Sequence, residues 1–249
     1  MSDKTDSHEG IFLVDGGQLT LSNLSISIDN EGNITLSQPE ITLRFDVCPE
    51  WLEIAYSHLE TNRSAANKIQ WALLEKDDNS VAEALKLEFR YGMQSIVASC
   101  TAIESFFELI KDKSDIPQET LQAWSKNRTA KYARISETIK IAFGISNEST
   151  QKIRESLKEI FSYRDRAIHP NQQFINPAVH PELNRAVDFK FVLFRHHNAR
   201  AIYQFTLSFI NQLSSLKNIK NEAIKTYSEQ FQKKLEPIVK SWKDEYGEL

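Results

Sequence analysis

Glycine and proline are scarce in this chain, seven of each in 249 residues. So few turn-formers exclude an architecture of many short strands throughout and point to long helices. Cysteine is rarer still. Cys48 and Cys100 lie far apart with no partner at metal-ligand spacing, which excludes a disulfide framework and reads as reduced, structural thiols in a cytoplasmic protein. No apolar run approaches the roughly 20 residues that a membrane span needs, and the opening "MSDKTDSHEG" lacks an apolar signal core. An excess of basic charge is also missing: 30 Lys and Arg against 34 Asp and Glu give a net charge of −4. A nucleic-acid role would therefore need a local basic surface. There is no phosphate-binding glycine loop, no G-x-S-x-G and no C-x-x-C, so neither a cofactor nor a metal is expected.

What is present is apolar and aromatic. Hydrophobic residues make up 41% of the chain, with 14 phenylalanines and 4 tryptophans, enough for a real core. The first fifty residues alternate with period two (Leu19/Leu21, Leu24/Ile26/Ile28, Ile34/Leu36, Ile41/Leu43/Phe45), which predicts strands. "DNEGN" at 29 to 33 supplies a hairpin turn, and the slip between Leu21 and Leu24 predicts a bulge or bend. This reads as a small antiparallel β meander over 1–49, laid against a helical body because a lone hairpin is marginal in water.

From about residue 50 the period becomes helical. Leu52, Ala55, Leu59, Ala66, Ile69 and Leu73 form one stripe, ended by "EKDDNS". Leu85, Phe89, Met93, Ile96, Cys100, Ile103, Phe107 and Ile110 form a second. Shorter helices are predicted near 118–126 and 130–143, the latter capped by Gly144. Ser149 is placed to cap a helix running to about 168. A long helix is expected over 183–213, and a last amphipathic one over about 217–247, interrupted at Pro237. The fold class is therefore mainly α, an up-and-down bundle over 50–215 with a helical extension over 216–249.

One position breaks the pattern. On the helix ending in "FSYRDRAIHP" (161 to 170), Ile153, Leu157, Ile160 and Phe161 mark the apolar stripe and Ile168 continues it, but Arg164 interrupts it. The arginine must point inward or into a cleft, where an unpaired charge is costly. Pro170 disfavours helical geometry at His169, so the chain turns there and the imidazole can swing back toward the guanidinium.

"YRDRAIHP" resembles the R-x4-6-H motif of HEPN domains, with Asp165 as the polar residue after the arginine. "SIVASCTAIESFFELI" (95 to 110) is similar to that family's second core helix, and the likeness covers roughly 50–213. The resemblance implies a bundle of about four long helices and a metal-independent endoribonuclease that cleaves RNA through attack of the ribose 2′-hydroxyl. Carried over by position, Arg164 is the phosphate clamp, His169 the acid/base and Asp165 the orienting group. It further implies a homodimer that brings two motifs together, and an antitoxin or defence-system partner. The alternative is a non-catalytic dimerising or RNA-binding module, in which the three residues only fix a helix end. An open cleft shared by Arg164 and His169 separates the first reading from the second.

Other candidates surround the motif. "KNRTAKYARISETIK" (126 to 140) carries Lys126, Arg128, Lys131 and Arg134 and offers an approach surface for RNA, with Tyr132 or Trp124 for stacking; it also reads as a solvated helix face. His180, in the loop after the motif, is placed to fold over the site or simply to pack. Glu104 flanks its stripe and can pair with Arg164, although a partly exposed surface carboxylate is the default reading. His196 and His197 are adjacent, so they point about 100° apart and form no i, i+4 metal pair.

Overall fold

The computed structural model describes residues 11–249 apart from 16, 38 and 170–175. The chain divides into two compact units, 1–47 and 48–249. Among the described residues no helix is long and apolar enough to cross a membrane.

The first unit is a nested antiparallel ribbon. β1 (Gly17–Ser22) pairs with β4 (Glu40–Phe45), and inside them β2 (Ile26–Ile28) pairs with β3 (Ile34–Leu36). The outer pair thus joins the first strand with the last, and the inner pair joins neighbours. The predicted bend falls between β1 and β2, where Asn23 takes a positive φ of 60°. The predicted turn is built by Asp29, whose Oδ1 accepts from the Glu31 and Asn33 amides at 2.9 and 2.8 Å; Gly32 supplies a φ of 86°. Directly opposed residues share a face, so Leu19, Leu21, Ile41 and Leu43 line one side of the outer pair and Ile26, Ile28, Ile34 and Leu36 one side of the inner pair. All eight are exposed.

The second unit is helical. α1 (Cys48–Glu75) and α2 (Asp78–Lys113) form a long hairpin, turned by Lys76 at φ 58° and by Asp77, whose side chain caps α2 through the Asn79 and Ser80 amides. α3 (Gln118–Lys126) and α4 (Lys131–Phe143) follow, and Gly144 ends α4 in the left-handed region, as expected. α5 (Asn147–Ile168) carries the motif; its cap is Ser146 rather than Ser149, whose amide instead donates to the Ser146 hydroxyl. α2 contacts α1, α4, α5 and α7, which makes it the centre of the body. Phe106, Phe107, Tyr203, Phe231 and Trp242 are buried in one continuous core, so α8 (Glu222–Tyr246) belongs to the same body.

The expected long helix over 183–213 is not one helix. β5 (Ala178–His180) and β6 (Arg185–Val187) form a hairpin, a short α6 (Phe189–Leu193) follows, and α7 (His196–Ser214) starts afresh. The reason lies on α2. Gly92 lets the chain close in: a Cβ there would stand 1.9 Å from the Phe194 carbonyl oxygen. Glu88 then caps α7, its Oε1 accepting from the His196 amide at 2.9 Å. The expected interruption of α8 at Pro237 is absent: the helix runs through it, with the proline exposed between buried Leu235 and Ile238.

Candidate functional site

The last turn of α5 places the motif. Phe161 is buried in the core, and the Arg164 guanidinium lies over its ring at 4.8 Å. Arg164 leaves the core on the side of α2, where its Nη1 donates to Glu104. Its Nε and Nη2 donate to Asp165 Oδ1 at 3.1 and 2.8 Å. Three of the five guanidinium N–H groups are thus engaged, and the side chain stays 21% exposed. Burial works against the charge; the Asp165 hydrogen bond and the two carboxylates outweigh it, so the pKa is raised from its ordinary value. Burial likewise pushes the neighbouring Cys100 thiol up to about 12, which makes it inert at neutral pH.

Glu104 extends the cluster. Lys131, the first residue of α4, stands 4.0 Å from it and 3.1 Å from Glu108, and lies over the Phe107 ring at 5.4 Å. Arg164, Asp165, Glu104 and Lys131 therefore meet where α2, α4 and α5 converge. His169 caps α5, its amide donating to the Asp165 carbonyl at 2.9 Å. Its ring is exposed and makes no hydrogen bond or ion pair among the described residues. Arg164 and His169 thus share one helix end without burying each other. Pro170 and the loop to 175 lie outside the described residues.

The remaining candidates disperse. Lys126 and Arg128 are exposed at the end of α3, and Arg134 is buried on α4 at its Nε, which has no partner among the described residues. Trp124 is not available for stacking: it is buried, and its Nε1 donates to Glu137 at 2.9 Å. Tyr132 is partly buried against the core. Ile168, expected on the buried stripe, is 46% exposed.

His180 does not fold over the motif. It is fully buried, with Nε2 3.8 Å from Glu88 and Nδ1 3.1 Å from Glu182. Glu88 and Glu104 are 16 residues apart on α2, roughly 24 Å of helix, so His180 belongs to a second cluster. There Asn62 Nδ2 donates to the Glu88 carbonyl at 2.6 Å, and its Oδ1 lies 3.0 Å from His196 Nδ1. Arg195 donates to Glu182 at 3.0 Å. Burial raises the Glu88 carboxyl to about 7 and lowers His196 to about 4; it also lowers His180. Sequence reasoning missed this cluster, although a signal existed. Asn62 follows Leu59 on the stripe of α1, and Glu88 falls between Leu85 and Gly92 on that of α2, each a polar residue at a buried position. Among the described residues no group of three or more His, Cys, Asp or Glu is arranged to hold a metal ion.

No family model, no curated protein and no solved structure matches the chain.

Proposed function

We propose that the protein is a HEPN-type endoribonuclease, working without metal, in which Arg164, His169 and Asp165 cleave RNA by attack of the ribose 2′-hydroxyl on the adjacent phosphorus. The observation that carries the reading is the helix end itself: an exposed imidazole and, five residues before it on the same helix, a partly exposed guanidinium that is held in place rather than buried. A histidine side chain is suited to proton transfer near neutral pH. In the forward step a neutral imidazole takes the 2′-hydroxyl proton as O2′ bonds to phosphorus. The P–O5′ bond breaks and a protonated imidazole gives O5′ its proton. The products are a 2′,3′-cyclic phosphate and a 5′-hydroxyl. The two guanidinium N–H groups not held by Glu104 and Asp165 face the growing charge on the phosphate oxygens, and Lys131 adds a second cation nearby.

One motif supplies one imidazole, while the reaction needs a base and an acid. A homodimer with the two-fold axis beside the motif supplies both. In this reading the protein is a cytoplasmic toxin or antiviral-defence nuclease that an antitoxin or system partner holds in check.

The pairing of Arg164 with two carboxylates favours a second reading, a dimerising or RNA-binding module in which the same residues only pin the end of α5. Incubation of the pure protein with total RNA in EDTA decides between them. Cleavage products ending in 2′,3′-cyclic phosphate, lost in His169→Ala, support the nuclease. Intact RNA with wild-type protein refutes it, and activity that EDTA abolishes and magnesium restores refutes the mechanism.

A further inference from the structure

The ribbon of the first unit leaves its apolar side chains uncovered. The eight leucines and isoleucines on its four strands are between 39% and 68% exposed. At on the order of 100 Å² of apolar surface apiece they present roughly 800 Å², the share that one partner brings to a standard protein interface. Two-stranded pairs are marginal in water without a surface to pack on, so these side chains call for a cover.

The chemistry of that cover is narrow. All eight side chains are aliphatic. The charged residues of the outer pair, Glu40 and Arg44, alternate with Ile41 and Leu43 and so lie on the opposite side. From Gly17 to Phe45 the ribbon carries Asp29, Glu31 and Glu40 against Arg44 alone, which disfavours both a nucleic acid and an anionic lipid surface. The helical unit, taken by itself, holds no counterpart among the described residues. Its exposed large apolar residues are Ile54, Trp71 and Leu74 on α1, Ile141 on α4, Ile168 on α5, Val179 on β5 and Leu216 after α7; only Trp71 and Leu74 are neighbours along one element. A second ribbon holds the same eight aliphatic groups. A two-fold contact sets a patch against its own copy, and because these apolar sides are free of charge no like charges meet.

We infer that the ribbon is a dimerisation element, packing its apolar sides on those of a second copy of this chain. Covering all eight groups requires the two ribbons to overlap along their length, which places the two-fold axis near the midpoint, at the bend around Asn23. This contact is independent of the nuclease reading and of a dimer at the motif.

The test measures the mass of the full chain by sedimentation at micromolar concentration, with cross-linking to locate the contact. The wild type is expected to run as a dimer of 28.7 kDa chains. Leu43→Glu buries one carboxylate from each copy in the contact and should weaken the dimer at least about tenfold; Ile34→Ser should weaken it in the same direction. Melting temperatures identify any variant that fails to fold, and Ile34→Ser decides if Leu43→Glu does. Cys48 and Cys100 are buried, so an introduced cysteine is the reactive thiol. Packed sheets stand about 10 Å apart, so a short bismaleimide should join two chains through Leu21→Cys, beside the axis, and not through Thr20→Cys on the polar side. A monomeric wild type, or a dimer that neither Leu43→Glu nor Ile34→Ser weakens, overturns the inference. Joining through Thr20→Cys but not Leu21→Cys also overturns it, since the copies would then meet at the β1 edge. So does a monomer whose Leu21→Cys thiol resists a simple maleimide, the mark of a face covered by its own chain. A monomer that sediments with neutral phosphatidylcholine vesicles would assign the face to lipid and overturn it as well.

Discussion

Replacing Glu88 by glutamine should stabilise the protein above neutral pH and leave it unchanged in mild acid. The carboxyl is 3% exposed, and burial raises it from an ordinary 4.5 to about 7. Below about pH 4.5 the folded and unfolded chains both hold the proton. Between 4.5 and about 7 only the folded chain holds it, so stability falls as pH rises, and above about 7 the loss is complete. At about 1.4 kcal/mol per tenfold in proton affinity, the loss is about 3 kcal/mol. A glutamine side chain would keep the shape: its carbonyl oxygen can accept from the His196 amide as Glu88 Oε1 does, and its amide would face His180 where Oε2 stands now. His196 works in the opposite direction. Burial lowers it from 6.5 to about 4, so stability rises between those values and masks part of the Glu88 effect in the wild type. The difference between the two proteins isolates Glu88. Thermal melts from pH 5 to pH 8 should show the E88Q advantage growing toward about 6–12 °C, at ~2–4 °C per kcal/mol for a body of this size. A constant difference across that range, or a less stable variant at pH 8, would refute the reasoning.

Three further outcomes follow from the same structure. Gly92→Ala gains about 1 kcal/mol of helix propensity but drives a methyl group into the Phe194 carbonyl oxygen, a backbone atom that cannot rotate away; a net loss of about 2 kcal/mol or more is expected in urea unfolding, and an equal or higher midpoint would contradict it. Asn221→Ala removes the cap accepted from the Ile224 amide at 3.1 Å and the bond to the Lys113 carbonyl at 3.0 Å, with an expected cost of about 1–2 kcal/mol that an unchanged melting temperature would rule out. Under the shared-site proposal, mixing inactive Arg164→Ala and His169→Ala chains should restore part of the RNA cleavage; a monomer by light scattering at micromolar concentration with full activity would end that proposal.

The legible parts of this fold are those decided by neighbours in sequence. The Asp29 turn, the left-handed Gly144 and the interruption of a stripe by Arg164 all follow from a few adjacent residues. The break before α7 does not, because its cause sits about a hundred positions earlier: Glu88 supplies the cap and Gly92 the space. Local pattern shows only apolar spacing from Val187 to Phe209 and joins two helices into one. Pro237 misleads for the complementary reason. Local chemistry predicts a break, and the burial of Leu235, Ile238 and Trp242 in the core holds the helix through it. At the motif, spacing places Arg164 toward the core but leaves Glu104 as one candidate partner, and Lys131 joins the cluster only through the convergence of three helices.

The ribbon of the first unit has two outer edges, and they differ in chemistry. β4 carries Glu40 and Arg44 along its length, charges that discourage an incoming strand. β1, with the sequence GQLTLS, carries no charge and no proline, and among the described residues no strand pairs with it on the side away from β4. Strand addition by any extended peptide therefore costs least at β1, and templated growth of the sheet would start there. A single lysine in place of Thr20, on the polar face opposite Leu19 and Leu21, would close that edge without touching the apolar one.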